Sequence, residues 1–567
     1  MCISFRIVTP PDQPPERLPH RDRTLSGANR SDFQNRTPFP SDSTDAMPVR
    51  TATELSTSLK DAQAAVRQRA TDYGLDFFET IFEVLDFDTM NQLAAYGGFP
   101  VRYPHWHWGM EYEKLRKRDA YGLGRIYEMV INNDPCYAYL QESNSVTEQT
   151  LVMAHVYGHC DFFKCNAWFS KTDRRMMDQT ANHATRVQKY AERFGLTEVE
   201  RFLDTCLSIE HLIDPYSPFV KRADDPELRP LSRDDSADSL REGWSPQRLP
   251  AKDYMERFVN PPAVMKAQQD AHDAEELRAR DRFPARPTRD ILLFLMRHAP
   301  LTDWQRDVLS ILRDEAYYFA PQAMTKIMNE GWATYWHSKI MTAHMLQASE
   351  IIDYADQHSG VVYMGPGGFN PYKIGLEIWK DIERRWDRGQ HGPRWESLPG
   401  LGQREAFDDD SRRGRARIFE VRRIYNDVTF VDEFLTDELI ERLKMYIYKR
   451  DPRTGQSVIA SRDPQVIRQN LIYRLSNMGQ PYIYVADANY GNRGELYLAH
   501  QFNGLEVEAA KALDVLRAIW KLWNRPVHLQ MRFNEEMCRI TCTGPGDDDL
   551  KREKITDALP KPAHVVE

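Results

Sequence analysis

Apolar residues recur at helical spacing from Ala52 to Ala95, where Leu75, Phe77, Phe78, Ile81, Phe82, Leu85 and Phe87 mark one face. The pattern predicts helix until Gly97-Gly98-Phe99-Pro100 turns the chain. Tyr121 to Leu140 is a second apolar segment, broken at Asn132-Asn133-Asp134-Pro135. Leu151 to Phe169, LVMAHVYGHCDFFKCNAWF, is apolar almost throughout and reads as a buried helix. Helical periodicity returns over Thr180–Ile213, over Pro287–Ala320 and from Met324 in MTKIMNEGWATYWHSKIMTAHML. Tyr363 to Leu376, YMGPGGFNPYKIGL, is a Gly/Pro-rich loop entering a helix, without the spacing of a phosphate loop.

The period changes in the last third. Short β-type runs are expected at Val428–Val431, Asn470–Leu475, Tyr482–Asp487, Glu495–His500 and Val527–Phe533, with helices at 433–448 and 506–523. Asn489-Tyr490-Gly491-Asn492-Arg493-Gly494 reads as a hairpin turn. The predicted fold class is mainly α: a large helical domain over 49–395, then a smaller α+β domain over 417–545. Residues 396–416 are charged and Gly-rich and read as a linker, and 221–250 as a charged surface excursion. Residues 1–48 lack hydrophobic periodicity and are expected to be disordered, with Met47 a possible start; 546–567 reads as a loose charged tail.

Composition narrows the classes. The 567 residues, 41% hydrophobic and 11% aromatic, can bury a large core. No apolar run approaches the roughly 18 residues that span a bilayer. The N-terminus has no signal-peptide h-region, so a cytoplasmic location is expected. A net charge of −9, from 75 basic and 84 acidic residues, argues against nucleic acid as main partner. Seven cysteines, an odd number without C-x-x-C spacing, are expected to be reduced thiols.

The candidate chemistry lies on two helices. His155 and His159 sit four residues apart, so one helix face can aim both imidazoles at a common point. The H-E-x-x-H motif adds a glutamate base beside the first histidine; here that neighbour is Val156. Glu330, Thr334, His337, Met341 and His344 follow at spacings of 4, 3, 4 and 3, a single stripe. A carboxylate heading such a stripe is costly to bury unless it is paired or coordinates a cation, which makes Glu330 the natural third ligand and His337 a possible addition. Glu111 and Glu113, in PHWHWGMEYEKL, are candidates to face the histidines as catalytic base. The alternative is a metal-free site in which the histidines are hydrogen-bonded core residues and Glu330 caps or salt-bridges.

Six blocks in order, INNDPCYAYL, HVYGHCDFFKCNAWF, MNEGWATYWHSKIM, GGFNPYKIGLEIW, RRIYNDVTFVDEFL and GQPYIYVADANYGNRGELYL, resemble the stage V sporulation protein R (SpoVR) family over about residues 55–545. The resemblance implies a bacterial protein tied to spore cortex (peptidoglycan) formation or to stationary-phase stress. It also implies protein partners in a serine protein kinase system or among cell-wall enzymes. His155-x-x-x-His159 with Glu330-Gly331-Trp332-Ala333-Thr334-Tyr335 also resembles gluzincin metallopeptidases. Carried over by position, His155, His159 and Glu330 would bind Zn²⁺ in a zincin-like helical domain. Val156 and the long gap between the helices depart from that pattern. Without a base, hydrolysis needs a substitute such as Glu111 or Glu113.

Three functions follow: a metal-binding regulator or adaptor, a metal-dependent hydrolase on a peptide or cell-wall precursor, and a metal-free helical scaffold. The sequence sets no oligomeric state.

Overall fold

A computed structural model of the chain describes residues 2–6, 54–120, 125–220, 286–365, 367–451, 453–504 and 506–555, with shorter pieces between 246 and 284. In chain order the elements begin with β1 (Cys2–Arg6), α1 (Thr57–Asp72), β2 (Thr80–Leu85), α2 (Phe87–Ala95), α3 (Trp106–Ala120), β3 (Arg125–Ile131) and β4 (Cys136–Gln141). Then come α4 (Val146–Cys165), α5 (Met176–Phe194), α6 (Leu196–Leu207), α7 (Ile291–His298), α8 (Asp303–Met324), α9 (Lys326–Ile340), α10 (Ile351–Val361) and α11 (Pro371–Asp387). The remainder holds α12 (Gly414–Ile424), α13 (Asp427–Phe434), α14 (Asp437–Arg442), β5 (Ile447–Arg450), β6 (Ser457–Ser461) and α15 (Pro464–Leu475). It closes with β7 (Tyr482–Tyr490), β8 (Glu495–Gln501), α16 (Ala509–Trp523), β9 (Val527–Phe533), β10 (Glu536–Cys542) and β11 (Leu550–Lys554). The chain is mostly helical with a sheet-containing C-terminal region. No helix among the described residues is long and apolar enough to cross a membrane.

Several elements differ from expectation for physical reasons. Part of the predicted helix before Ala95 is β2, which pairs parallel with β4 in a four-stranded sheet of order β1-β3-β4-β2. Its Thr80, Ile81 and Val84 are β-branched; burial alternates from Thr80 to Val84, but polar Thr80 on the buried face and apolar Ile81 on the other hide that alternation in the sequence. β1 pairs with β3 inside the segment expected to be unordered, whereas residues 7–53 lie outside the described residues. Residues 221–245 of the expected excursion lie outside them too. The runs at Val428 and Asn470 are helices, not strands: Asn426 caps α13, and Asp463 with Pro464 opens α15. The helix expected over 433–448 is instead the end of α13, then α14, then β5. In the tail expected to be loose, β11 pairs with β10, and residues 556–567 lie outside the described set.

Two main cores share the chain. The first gathers α1, α4, α9, α11 and the helices from α12 to α15 around Trp332, Trp336 and Trp379. The second packs α5 to α8 and α16 against the five-stranded sheet β11-β10-β9-β8-β7. α11 and α12, on either side of the charged stretch at 396–416, both contribute to the first core.

At the centre of the first core lies α4, opened by a capping box between Ser145 and Glu148 and buried at every position from Gln149 to Phe163. Glycines bring the neighbouring helices close. A Cβ on Gly331 of α9 would stand 2.4 Å from the Gly375 backbone of α11, and one on Gly158 would stand 2.7 Å from Ala333. The start of α9 is pinned by Asp427, whose carboxylate accepts the Ile327 and Met328 N–H groups at 2.8 and 2.9 Å. Asp161, buried on α4, accepts from Trp332 Nε1 at 2.8 Å and Arg422 at 3.0 Å and so fixes α4, α9 and α12 together.

Candidate metal centre

The rigid contact of α4 and α9 brings His155, His159 and Glu330 to one buried point, 3%, 0% and 3% exposed. His155 Nε2 lies 3.7 Å and His159 Nε2 3.5 Å from Glu330 Oε2. Three potential ligand atoms, one from each residue, lie within 4.8 Å of one another. The i, i+4 spacing and the head of the α9 stripe thus converge across 171 positions of sequence.

The partners of these groups orient them for a cation. Asn329 Oδ1 accepts from His159 Nδ1 at 2.9 Å, which puts the ring proton on Nδ1 and leaves the Nε2 lone pair facing Glu330. Neither His159 Nε2 nor Glu330 Oε2 has a hydrogen-bond partner among the described residues. His155 Nδ1 shares a 2.8 Å hydrogen bond with His337 Nδ1, and His337 Nε2 shares one of 3.1 Å with His358 Nδ1. The Tyr372 side chain hydrogen-bonds to the Glu330 carboxylate, and its ring stacks on His155 at 6.1 Å. Burial pushes the Glu330 carboxyl up, against the pull of His159 and Lys326. Burial, reinforced by neighbouring histidines, holds His155 and His337 well below the usual imidazole range. Both are therefore neutral, the state that a metal ligand needs.

The distances exceed those of a shared proton and leave room for a cation. A proton shared between an imidazole and a carboxylate draws N and O to about 2.7–2.9 Å. Tetrahedral bonds of about 2.0–2.1 Å to a common ion hold ligand atoms about 3.3–3.4 Å apart. Separations of 3.5 and 3.7 Å lie closer to the second case. Two imidazoles and one carboxylate are also a donor set of catalytic zinc sites. The residues fit a divalent ion.

The other candidates fall elsewhere. His337 lies seven residues, about 10.5 Å of helix rise, beyond Glu330 and meets the far nitrogen of His155. It supports a ligand rather than being one of the three that converge. Glu111 and Glu113 lie on α3 and pair with Lys114 and Arg116 one turn along, at 3.2 and 3.0 Å. They do not join the cluster: α3 packs on α2, and its carboxylates face cations of their own helix. His344 falls in the π-helical turn Met341–Met345, which shifts it off the stripe, and it meets the Tyr73 hydroxyl at 3.0 Å. A separate cavity of about 500 Å³, lined among others by Trp168, His183, Arg313 and Tyr317, holds no member of the cluster.

Asn329, His358 and Tyr372 went unnoticed in the sequence. Asn329 beside Glu330 and Tyr372 within the Gly/Pro loop block were visible signals. His358, on a separate short helix, offered none.

Residues 54–480 match the sequence model of the family described as SpoVR like protein. Uncharacterized protein YcgB of Escherichia coli K12 is 29% identical over 500 residues, covering 83% of this chain and 91% of that protein. No solved structure matches the fold.

Proposed function

Since the chain belongs to the SpoVR family, we propose that it is a metal-holding regulatory protein acting by binding, with zinc as the ion its donor set best suits. His155, His159 and Glu330 would hold the ion, with Asn329 and His337 orienting the imidazoles. The carrying observation is the bare pair His159 Nε2 and Glu330 Oε2, turned toward each other at 3.5 Å inside the core. A bound ion would supply a Lewis acid and tie α4 to α9.

Regulation is favoured over turnover because the cluster has one carboxylate, Glu330, and that is a ligand. Val156 occupies the motif position of the base and lies in the apolar core. The family resemblance directs the role to spore cortex or stationary-phase stress, with a serine protein kinase system or cell-wall enzymes as partners. The thiols of Cys136 and Cys160, hydrogen-bonded yet unlinked, suit a reducing cytoplasm.

A second reading, a zincin-like hydrolase acting on a peptide or wall precursor, draws on Tyr372. Its phenol at the Glu330 carboxylate sits where a proton donor to a substrate would be needed.

The test is metal content by mass spectrometry on protein purified without a metal-affinity tag. Near one equivalent is expected in wild type, with loss in His155→Ala, His159→Ala and Glu330→Ala. Metal-free wild type that folds unchanged in chelator would leave the scaffold reading. Hydrolysis of a peptide library that disappears in Tyr372→Phe, with metal retained, would promote the second reading.

A further inference from the structure

The chain as a whole carries −9, but residues 444–474 hold seven Lys and Arg against two Asp, a local +5. They form α15 and the two-stranded hairpin of β5 and β6. Lys444, Lys449, Arg453, Arg462 and Arg474 are exposed, and among the described residues none pairs with a carboxylate. Apolar side chains stand in water between them: Val458, Ile459, Val466 and Tyr473 are 37–43% exposed. Every residue from Arg453 to Ala460 is exposed, and the hairpin pairs with no third strand among the described residues.

The hairpin touches the loop that leads to the candidate metal centre. A Cβ on Gly367 would lie 2.9 Å from the Tyr448 ring of β5, so hairpin and glycine loop touch. Five residues after Gly367 comes Tyr372, at the Glu330 carboxylate. Tyr363 and Phe369, flanking that loop, are 59% and 50% exposed and extend the apolar surface toward the site.

We propose that this hairpin docks an extended acidic segment of another polypeptide, added as a third strand along the hairpin's open edge and led toward the glycine loop. An open strand edge offers main-chain groups that an extended peptide satisfies. The row of cations keeps two copies of the hairpin apart and attracts a chain of opposite sign. Aliphatic side chains between the cations suit alternate apolar residues of such a segment. The proposal stands whether or not an ion binds at His155, His159 and Glu330.

The experiment uses the full chain and a fluorescein-labelled peptide of alternating glutamate and valine, about twelve residues long, read by anisotropy. Saturable binding is expected, weakened about tenfold or more in a Lys449→Glu, Arg462→Glu double variant that keeps its melting temperature. The same peptide N-methylated on alternate residues, which cannot extend a sheet, should lose a similar factor. His155→Ala protein should bind the peptide like wild type, which separates this result from the metal measurement. Absence of saturation, indifference to the charge reversal, or equal binding of a single-stranded oligonucleotide or phosphatidylglycerol vesicles would overturn the proposal.

Discussion

Among the histidine–glutamate pairs of the described residues, two use the same side chains to opposite ends. In the C-terminal sheet, His528 Nε2 meets Glu495 Oε2 at 2.9 Å, and His528 Nδ1 meets Thr541 Oγ1 at 2.9 Å. Arg493 adds two donors to the same carboxylate at 2.6 and 2.8 Å. Every strong polar atom there has a partner, and the group is complete as protein. In the helical core, His159 and Glu330 face each other at 3.5 Å without a hydrogen bond, and their other contacts only orient them. Residue type and burial are similar, but one group is closed and the other open. Polar groups buried without a partner are costly, so a cation that the open group could hold would offset a cost that the closed group does not carry.

Removal of an ion held by the open group would give the largest difference. At ion concentrations about a thousandfold above Kd, a site present only in the folded chain stabilises it by about 4 kcal/mol. Chelator should therefore lower the melting temperature of wild type markedly and leave Glu330→Ala unmoved. His528→Ala, by contrast, should respond to chelator as wild type does. Equal indifference of wild type and Glu330→Ala would make both groups alike and remove the metal from the account.

Next in size is the packing that creates the open group. An added methyl at Gly331 would stand 2.4–2.8 Å from the Gly375 and Leu376 backbones, which cannot move aside as a flexible side chain can. Gly331→Ala should cost about 3 kcal/mol or more and reduce metal content together with stability. Gly109→Ala, on α3 with nothing within 4 Å, should be neutral or stabilising by about 0.5–1 kcal/mol, measured in urea.

The same contrast separates what the chain shows as sequence from what it hides. His155, His159 and Glu330 were legible because a helix turns i, i+4 spacing into a common face, and because a carboxylate leading an apolar stripe needs a reason. The closed group was not legible: Glu495, His528 and Thr541 meet only through the register of β8, β9 and β10, which no local pattern fixes. His337 depends on the same kind of information: spacing puts it on the stripe, but only the packing of α9 on α4 decides which side of His155 it meets. β2 escapes the period-2 pattern because Thr80 on its buried face is polar and Ile81 on the other is apolar, whereas the caps Asn426 and Asp463 mark α13 and α15 as helices.

A smaller effect sharpens the comparison through pH. The Arg493 guanidinium, helped by His528, holds the Glu495 carboxyl down at about 2, from an ordinary value of 4.5. The folded state thus binds the proton less readily than the unfolded chain. Its contribution is complete above about pH 4.5 and is lost as the pH falls toward 2. Glu495→Gln should cost about 1–2 kcal/mol at pH 7 and close to nothing near pH 2.5, in urea unfolding at both. A constant difference at both pH values would mean that the carboxylate charge contributes nothing to the closed group.

The smallest effect is expected at Glu111 and Glu113, and it tests the boundary of the open group. Their partners Lys114 and Arg116 are one turn away on the same helix, and the paired side chains are 26–71% exposed. Pairs of this kind contribute about 0.3–0.5 kcal/mol, so each Gln variant should unfold within about that range of wild type. Metal content should not change, because neither carboxylate belongs to the cluster. Any hydrolysis observed should persist as well, since neither carboxylate joins the cluster. Loss of metal or turnover in either variant would show that α3 closes over α4 and α9 in the working protein, and the open group would then have the base that Val156 denies it.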